Sequence, residues 1–213
     1  MKVAVWNIRG IGAEAKKVTV KKLINAEKID MMGLVETKHN TFSPWLISKL
    51  WGHHNIGWAH IPAENSSGGI LVSWHHDSFK EIRTLVSNRW ICVFGEFVQE
   101  GFVCAICVLY APNNQHERLE LWNILRALRQ HLSIPLILMG DFNEVVNLEE
   151  RKNATHVTTS MKELRDFIQD LQMHDLDINQ QYTWMRENAA SRLDRVLVSH
   201  ECMEKFQLLP YKL

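Results

Sequence analysis

The sequence predicts an α/β fold in which two mostly antiparallel β-sheets stack face to face, with helices on their outer sides. Short apolar runs rich in β-branched and aromatic residues recur along the chain. In its middle these runs follow one another across brief turns, as in antiparallel meanders. Amphipathic helical patterns separate the runs near both ends. The length of 213 residues suits one large sandwich domain that spans residues 1–213.

The first elements are expected to alternate between strand and helix. Residues 3–6 form a β-branched and aromatic run that ends at Asn7 and a glycine-bearing turn, which predicts a buried strand followed by a loop. Apolar residues recur at helical spacing over residues 13–27, which predicts a helix. A second strand over residues 29–35 and a second helix over residues 42–50 complete this part.

The middle of the chain is predicted to be almost entirely strand, and its last third returns to helices and strands. A polar loop over residues 147–159 ends at Ser160-x-x-Glu163, which has the pattern of a capping box at a helix start. Strands are predicted over residues 55–61, 69–74, 79–86, 90–98, 102–110, 134–140, 182–186 and 192–198, and a helix over residues 116–132.

Composition excludes several classes of protein. The 24 Lys and Arg residues balance 24 Asp and Glu residues, so a strongly basic nucleic-acid coat is excluded, although a local basic groove is not. No apolar run approaches the ~18 residues of a membrane span, and the first residues do not resemble a secretion signal. We therefore expect an intracellular protein without membrane attachment. Cys104 and Cys107 lie inside an apolar run and are expected to be buried thiols rather than a redox or zinc pair.

Polar residues at the ends of apolar runs are the candidate functional residues. A carboxylate at the end of a buried strand is costly unless it meets a metal ion, a proton or a basic partner. Three such carboxylates in one domain favour an oxygen-ligand site for Mg²⁺, which takes one or two carboxylates and keeps positions for water and phosphate. The residues with this placement are Asn7, Glu36, Tyr110, Asn113, Asp141, Asn143 and Asp194.

The segment Asp141-Phe142-Asn143 has two interpretations. In an extended segment, residues two apart face the same side, so Asp141 and Asn143 would project together while Phe142 anchors below them. Alternatively, Asp141 and Asn143 form an Asx turn that opens residues 144–148. A carboxylate and an amide at one point suit the deprotonation of a water beside a phosphate oxygen.

Seven short motifs follow one another along the chain. They are Trp6-Asn7-Ile8-Arg9-Gly10, Val35-Glu36-Thr37, Ser67-Gly68-Gly69, Leu109-Tyr110-Ala111-Pro112-Asn113, Gly140-Asp141-Phe142-Asn143, Thr183-Trp184 and Ser191-Arg192-Leu193-Asp194-Arg195. In this order the sequence resembles the endonuclease/exonuclease/phosphatase superfamily over essentially the whole chain. Within it, the motifs look most like those of the endonuclease domain of plant non-LTR (LINE-type) retrotransposons.

The resemblance implies a four-layer α-β-β-α sandwich and a Mg²⁺-dependent phosphodiesterase, with Mn²⁺ as the alternative ion. Such an enzyme nicks duplex DNA and leaves a 3′-hydroxyl for target-primed reverse transcription. The resemblance also implies a nuclear location, DNA as partner, and a reverse transcriptase domain encoded downstream in the parent element.

Each motif implies a role for its residues. Glu36 would be the principal metal ligand, with Asn7 beside it. Asp141 would orient or activate the attacking water, and Asn143 and Tyr110 would hold the scissile phosphate. Asp194 would be a further acidic residue near the metal, and Asn113, Thr183, Trp184 and Arg192 would contact or shape the substrate site.

One block of the family is not found in this sequence. The family closes with a Ser-Asp-His block on a last strand, whereas this chain ends at Leu209-Pro210-Tyr211-Lys212-Leu213. His200 lies too close to Asp194 in sequence to replace the missing histidine. We therefore expect a domain cut short at its C-terminal end, with activity reduced by ~10²–10³ or lost. The alternatives are another phosphoesterase, acting on an abasic site, an inositol phosphate or a phospholipid, and a non-catalytic remnant that binds DNA weakly.

Two further groups have simple interpretations. The lysines at positions 16, 17, 21 and 22 are expected to form a solvated helix face, with a phosphate-contacting rim as the alternative. The adjacent histidines His53-His54 and His75-His76 would point to opposite faces of a strand, so neither pair is expected to chelate a metal.

Overall fold

The computed structural model describes residues 1–64, 67–176 and 182–206. The chain forms two compact units, Met1–Tyr110 and Ala111–Leu213. The first contains β1 (Val3–Asn7), α1 (Glu14–Glu27), β2 (Met31–Val35), α2 (Pro44–Trp51), β3 (Ile56–Ile61), β4 (Ile70–His75), β5 (Phe79–Val86), β6 (Trp90–Phe97) and β7 (Phe102–Tyr110). The second contains α3 (Gln115–Gln130), β8 (Leu136–Asp141), a 3-10 turn (Leu148–Glu150), α4 (Thr159–Asp170), β9 (Met173–Asp175), β10 (Trp184–Arg186), β11 (Ala189–Ser191), β12 (Asp194–Ser199) and α5 (His200–Lys205).

A four-stranded sheet with strand order β1-β2-β4-β3 lies in the first unit. β1 and β2 are parallel, and Asn7 is in register with Val35, so both strands end at the same edge of the sheet. β4 runs antiparallel to β2 and to β3. Every residue of β2 is buried, which explains why its sequence is a continuous apolar run.

Two helices pack against this sheet. α2 begins after Ser43, whose hydroxyl accepts a hydrogen bond from Leu46 N at 3.2 Å, and Pro44 occupies the first turn, where its missing N–H costs nothing. The helix ends at Gly52, which has a φ of +88°. The shared apolar core includes Val20, Ile24, Leu34, Ile47, Leu50, Trp51 and Leu71.

β5, β6 and β7 form an antiparallel meander that packs on the four-stranded sheet within the same unit. A Cβ atom on Gly33 of β2 would lie only 2.9 Å from Val108 Cγ2 of β7, so glycine lets the two layers approach closely. Phe79 and Phe97 pack with their ring centroids 4.8 Å apart. The predicted face-to-face stacking of two sheets is therefore present in this unit.

In the second unit, β12 pairs antiparallel with β8 on one side and with β9 on the other. Trp122 of α3 stacks on Phe142 and on Phe167 of α4, with ring centroids 5.7 and 4.7 Å apart. β10 and β11 form a short hairpin. The pairing of β8 with β12 places Asp141 directly opposite Asp194.

One predicted helix start is wrong. The capping box Ser160-x-x-Glu163 is not used, because Thr158 caps α4 instead, with its hydroxyl accepting from Met161 N at 3.2 Å. Ser160 is buried and its hydroxyl accepts from Arg118 Nη2 at 2.7 Å, so it is not available as a cap.

Three elements, β9, β11 and α5, were not predicted. Each has three to six residues, too few for a periodic pattern to show in the sequence. Residues 207–213, on which the expectation of a shortened C-terminal end falls, lie outside the described residues. The single domain over residues 1–213 stays a prediction.

The four cysteines are free and buried, as predicted for Cys104 and Cys107. Cys107 lies opposite Cys92 in the pairing of β6 with β7, and burial raises the pKa of the Cys107 thiol well above its usual range. Within the described residues, no helix is long and apolar enough to cross a membrane.

Candidate active site

The ends of β1 and β2 bring Asn7 and Glu36 to one edge of the four-stranded sheet. Asn7 is the last residue of β1, and Glu36 follows Val35, with which Asn7 is in register. Gly10 N donates to Glu36 O at 2.7 Å, and Asn7 Oδ1 accepts from Arg9 N at 3.2 Å. Both predicted metal ligands therefore lie on neighbouring strand ends of one unit.

Glu36 has a strained backbone and a partly exposed carboxylate. Its φ is +56°, a region that residues other than glycine rarely adopt and that is enriched at functional sites. Its Oε1 lies 3.0 Å from Lys38 Nζ, and its side chain is 18% exposed. The carboxylate thus faces a cation at the sheet edge.

The turn Ser67-Gly68-Gly69 supports the loop that follows Glu36. Thr37 N donates to Gly69 O at 3.1 Å, and Lys38 N donates to Gly68 O at 2.9 Å. A Cβ atom on Gly69 would lie 2.4 Å from Thr37 Oγ1, and the φ of Gly69 is +86°, so this position requires glycine. A Cβ atom on Gly68 would lie 4.0 Å from the ring of Tyr110, so this tyrosine borders the same turn.

Asn7 and Glu36 offer the donor atoms that a hard divalent cation takes. Mg²⁺ binds one or two carboxylates with other oxygen ligands and keeps several waters. The carboxylate and amide at this edge fit that preference, but Lys38 already pairs with the carboxylate, so a bound ion would displace the lysine. Among residues 1–64, 67–176 and 182–206, no group of three or more His, Cys, Asp or Glu side chains is arranged to hold a metal. A bound ion would therefore rely on water and phosphate for most of its ligands.

In the second unit, Asp141 ends β8 and Asp194 begins β12, and the two lie directly opposite each other. Such cross-strand pairs hold their Cβ atoms about 4.5–5.5 Å apart on one face of the sheet. Thr183 Oγ1 accepts from the backbone N of Leu193 and of Asp194, both at 2.9 Å, which fixes the entry into β12. Two acidic residues facing each other repel, so this pair indicates a site where a cation, a proton or hydrogen bonds offset the repulsion.

The structure shows an Asx turn after β8, so the extended interpretation of Asp141-Phe142-Asn143 is wrong. Asn143 N donates to Asp141 Oδ1 at 2.9 Å, and Asn143 has a φ of +51°. Asn143 Nδ2 donates to Ala111 O at 2.6 Å. Phe142 is fully buried and anchors the turn, as predicted. The turn keeps Asp141 and Asn143 together by a hydrogen bond rather than by strand alternation.

Residues 4–208 match the model of the Endonuclease/Exonuclease/phosphatase family. The chain belongs to this family. Among solved structures, it is similar to the catalytic domain of Xenopus laevis APE2, with 16% identity and a TM-score of 0.73 over 96% of this chain and 84% of the other. The AP endonuclease LMAP from Leishmania major matches with 16% identity and a TM-score of 0.72, over 93% of this chain and 78% of the other.

The endonuclease domain of TRAS1, a telomere-specific non-LTR retrotransposon, is a further similar structure. Its identity is 14% and its TM-score 0.70, over 94% of this chain and 85% of the other. These similarities confirm the predicted α/β fold class, with two large sheets and helices.

In this family member, Arg192 lies in an ion-pair network inside the second unit. Arg192 donates to Glu150 Oε1 at 2.7 Å and to Asp175 Oδ1 at 2.9 Å, and the fully buried Arg195 donates to the same two carboxylates. Burial alone would raise the pKa of Glu150, but Arg195 and the other donors lower it to about 2. Glu150 and Asp175 cannot be recognised as partners from the sequence, because they lie 42 and 17 residues from Arg192 along the chain. Substrate contact by Arg192 stays a prediction.

The other predicted substrate residues lie on loops and on the hairpin. Trp184 begins β10, is half-buried and pairs in register with Ser191. Asn113 is exposed after β7, and its carbonyl accepts from Arg118 Nη1 at 2.7 Å. The role of Arg118 was missed, because helical periodicity does not show which charged residue of a helix is buried.

One lysine of α1 and the two histidine pairs have contacts within the first unit. Lys16 Nζ donates to Ile8 O and Arg9 O at 2.7 and 2.9 Å, so it holds the turn that follows Asn7. His53 packs on His75 with ring centroids 4.5 Å apart, at the edge of the sheet opposite to Glu36. The two histidine pairs therefore meet across the chain rather than chelating within each pair.

Proposed function

We propose that this chain is a metal-dependent phosphodiesterase that nicks duplex DNA and leaves a 3′-hydroxyl for target-primed reverse transcription. The observation that carries the proposal is the placement of Asp141 opposite Asp194, with the Asn143 turn directly after Asp141. This places two carboxylates and an amide donor at one end of the β8–β12 pair. Such a set suits proton transfer and charge stabilisation at a phosphodiester.

The metal would be held at the other unit's sheet edge by the carboxylate of Glu36 and the amide oxygen of Asn7. Mg²⁺ is the proposed ion, with Mn²⁺ as the alternative. When bound, it neutralises the negative charge that develops on the phosphate and leaving oxygen. The partly exposed side chain of Glu36 supports this role, and the Lys38 ammonium, 3.0 Å from Oε1, would have to release the carboxylate when the ion binds.

The remaining roles belong to donors and acceptors around the phosphate. Asp141 would accept the proton of the attacking water. The Asn143 amide has two N–H groups and gives one to Ala111 O, so the second would donate to a phosphate oxygen, together with the Tyr110 hydroxyl. Asp194 would keep that environment acidic, and Asn113, Thr183, Trp184 and Arg192 would contact or shape the bound DNA.

The biological setting follows from the retrotransposon resemblance. The substrate would be nuclear DNA, and the partner a reverse transcriptase domain encoded downstream in the parent element. We also propose that residues 1–213 act as one domain, because the family match runs from residue 4 to residue 208.

Nicking of supercoiled plasmid tests the proposal. We expect relaxation with Mg²⁺ and none with EDTA. Glu36→Gln and Asp141→Asn should each lower the rate by ~10²–10³, because each removes a charge without changing side-chain size. Asp166→Asn on the exposed face of α4 is the matched control and should leave the rate unchanged. Equal rates for all four proteins would contradict the proposal.

Two further arms separate the alternatives. One of the similar structures is the AP endonuclease LMAP, so a duplex with one abasic site is compared with the undamaged duplex. Cleavage of the abasic duplex alone would favour a repair-type substrate. A version extended by the family's Ser-Asp-His block tests the remnant hypothesis, which predicts nicking only after the extension. Calorimetry that finds no Mg²⁺ binding to either version would contradict the metal site.

A further inference from the structure

The guanidinium of Arg118, on α3, is buried. Its two terminal nitrogens donate hydrogen bonds to three separate segments of the second unit. Nη1 donates to Pro112 O at 3.1 Å and to Asn113 O at 2.7 Å. Nη2 donates to Glu144 Oε2 at 3.0 Å and to Ser160 Oγ at 2.7 Å. The side chain is 7% exposed. One planar group therefore joins the loop after β7, the turn after β8 and the first turn of α4.

Glu144, directly after Asn143, is the charged partner in this arrangement. Its Oε1 accepts from Arg151 Nη2 at 2.7 Å and from Val145 N at 3.0 Å, while Oε2 accepts from Arg118. Burial alone would raise the pKa of Glu144, but Ser160, Val145 and the two arginines lower it, so the carboxylate stays charged. The residue after Asn143 is thereby fixed at both carboxylate oxygens.

The acceptors of Arg118 lie next to residues with proposed roles at the phosphate. Pro112 O and Asn113 O belong to the loop that carries the Asn113 side chain. Glu144 follows Asn143, whose amide in turn donates to Ala111 O. The loop after β7 and the turn after β8 are thus linked twice, directly through Asn143 and through Arg118.

We propose that Arg118 is a positioning residue for the phosphodiester reaction, holding Asn113 and Asn143 in the geometry that receives the phosphate. This inference rests on the proposed function. Arginine is required because a planar fork reaches acceptors on two sides at once, whereas a lysine ammonium is a single point charge on a flexible stem. Displacing reacting groups by about 1 Å costs roughly 100-fold in rate. Weaker positioning of Asn113 and Asn143 is therefore expected to lower kcat.

The kinetic test compares Arg118→Lys and Arg118→Met with the wild-type chain. Both should lower kcat for plasmid nicking by roughly 10-fold to 100-fold, with a smaller change in KM for DNA, because the buried Arg118 acts on the substrate only through the residues it holds. Arg126→Met on the same helix is the control, since its guanidinium pairs with the exposed Asp170 at 2.8 Å. Its kcat should stay at the wild-type value.

A double variant separates positioning from stability. Arg118→Met alone leaves the buried Glu144 carboxylate with Arg151 as its one arginine partner, and the loss of half of a buried charge pairing destabilises a fold. Arg118→Met combined with Glu144→Met removes the buried charge and is expected to recover the urea midpoint but not kcat. If kcat recovers together with the midpoint, Arg118 is only structural and the inference is overturned.

Side-chain amide signals give a readout without substrate. In ¹H–¹⁵N spectra, the Asn143 side-chain amide should shift in Arg118→Lys and stay in place in Arg126→Met. If the wild-type chain does not nick DNA but this signal shifts, the proposed function is wrong, whereas the positioning of Asn143 by Arg118 is confirmed. If the signal does not shift, or if Arg118→Lys nicks at the wild-type rate, the inference on Arg118 is overturned.

Discussion

Asn143 combines a left-handed backbone with a side-chain amide that donates to Ala111 O. The two properties are separated by substitution, because glycine keeps the backbone conformation and removes the amide. We expect Asn143→Gly to unfold in urea within about 1 kcal/mol of wild type, while nicking falls by ~10²–10³. Asn143→Ala should lose activity and also stability, by roughly 1–2 kcal/mol, because alanine disfavours φ above zero.

Asn153 provides the matched control for this prediction. It also has a left-handed backbone, with a φ of +64°, and it is exposed in the loop after the 3-10 turn. Asn153→Gly should change neither unfolding nor nicking. An equal loss of activity in Asn143→Gly and Asn153→Gly would mean that the Asn143 amide has no particular role.

At position 69, both the backbone conformation and the packing require glycine. A Cβ atom there meets Thr37 Oγ1 at 2.4 Å, and its φ is +86°. Gly69→Ala should lower the free energy of unfolding by about 2–5 kcal/mol, from backbone strain and overpacking together. Adding Thr37→Ala removes the steric part only, so the double variant should recover part of that loss in urea unfolding. Full recovery would contradict the contribution from backbone strain.

At the scale of elements, one ion-pair network ties the 3-10 turn, β9 and β12 together through Glu150, Asp175, Arg192 and Arg195. The pKa of Glu150 is lowered to about 2 from its usual value near 4.5, so the native state favours its charged form. This contribution to stability is complete above about pH 4.5 and is lost as the pH falls toward about 2; it amounts to roughly 3 kcal/mol.

Glu150→Gln tests this pH dependence. The variant should be less stable than wild type near neutral pH, by about 3–5 kcal/mol, because it leaves two buried arginines with one carboxylate. It should also lose less stability than wild type between about pH 4.5 and pH 2, because it has no proton to take up at this position. Urea unfolding across the pH series measures both effects. The exposed neighbour Glu149, changed to Gln, should follow the wild-type curve.

The sequence was sufficient for elements whose signal is local. The strands β5 and β7 lie at their predicted bounds, because alternating or continuous apolar runs between turns need no partner to be recognised. The edge that carries Asn7 and Glu36 was also predictable, since polar residues directly follow two apolar runs. The Asx turn at Asn143 was kept only as an alternative, because a side-chain hydrogen bond competes with strand geometry in a way that alternation does not show.

Features that depend on pairing between distant segments could not be predicted. The register that places Asp141 opposite Asp194 depends on how β12 enters the sheet beside β8. Arg118 and Arg195 are buried charges, and a sequence pattern assigns charged residues to the surface unless their partners are known. The capping pattern at Ser160 is misleading because the sequence does not show its distant partner: the Ser160 hydroxyl accepts a hydrogen bond from Arg118.

For the whole molecule, the balance of 24 basic and 24 acidic residues limits how DNA is bound. Each phosphate that a protein neutralises adds about 0.9 to the slope of log K against log salt, and strongly basic binders make roughly 6–10 such contacts. Because the chain has no net charge to attract a polyanion, we expect the slope of log K against log salt to have a magnitude of about 3 or less for a short duplex. Fluorescence anisotropy of the labelled duplex, with Ca²⁺ in place of Mg²⁺, measures the binding constant at each salt concentration. A slope above about 6 would contradict this expectation.

The exposed residues Lys21 and Lys22 of α1 decide whether that helix contributes to the slope. Lys16 on the same helix is already used by the backbone of Ile8 and Arg9, and Lys17 lies 3.6 Å from Glu14, so the helix has few free cations. Lys21→Gln combined with Lys22→Gln should leave the slope within about 0.5 of wild type, as a solvated face requires. A decrease of about 2 in the magnitude of the slope would instead show that Lys21 and Lys22 contact phosphates. The α1 helix would then be the phosphate-contacting rim.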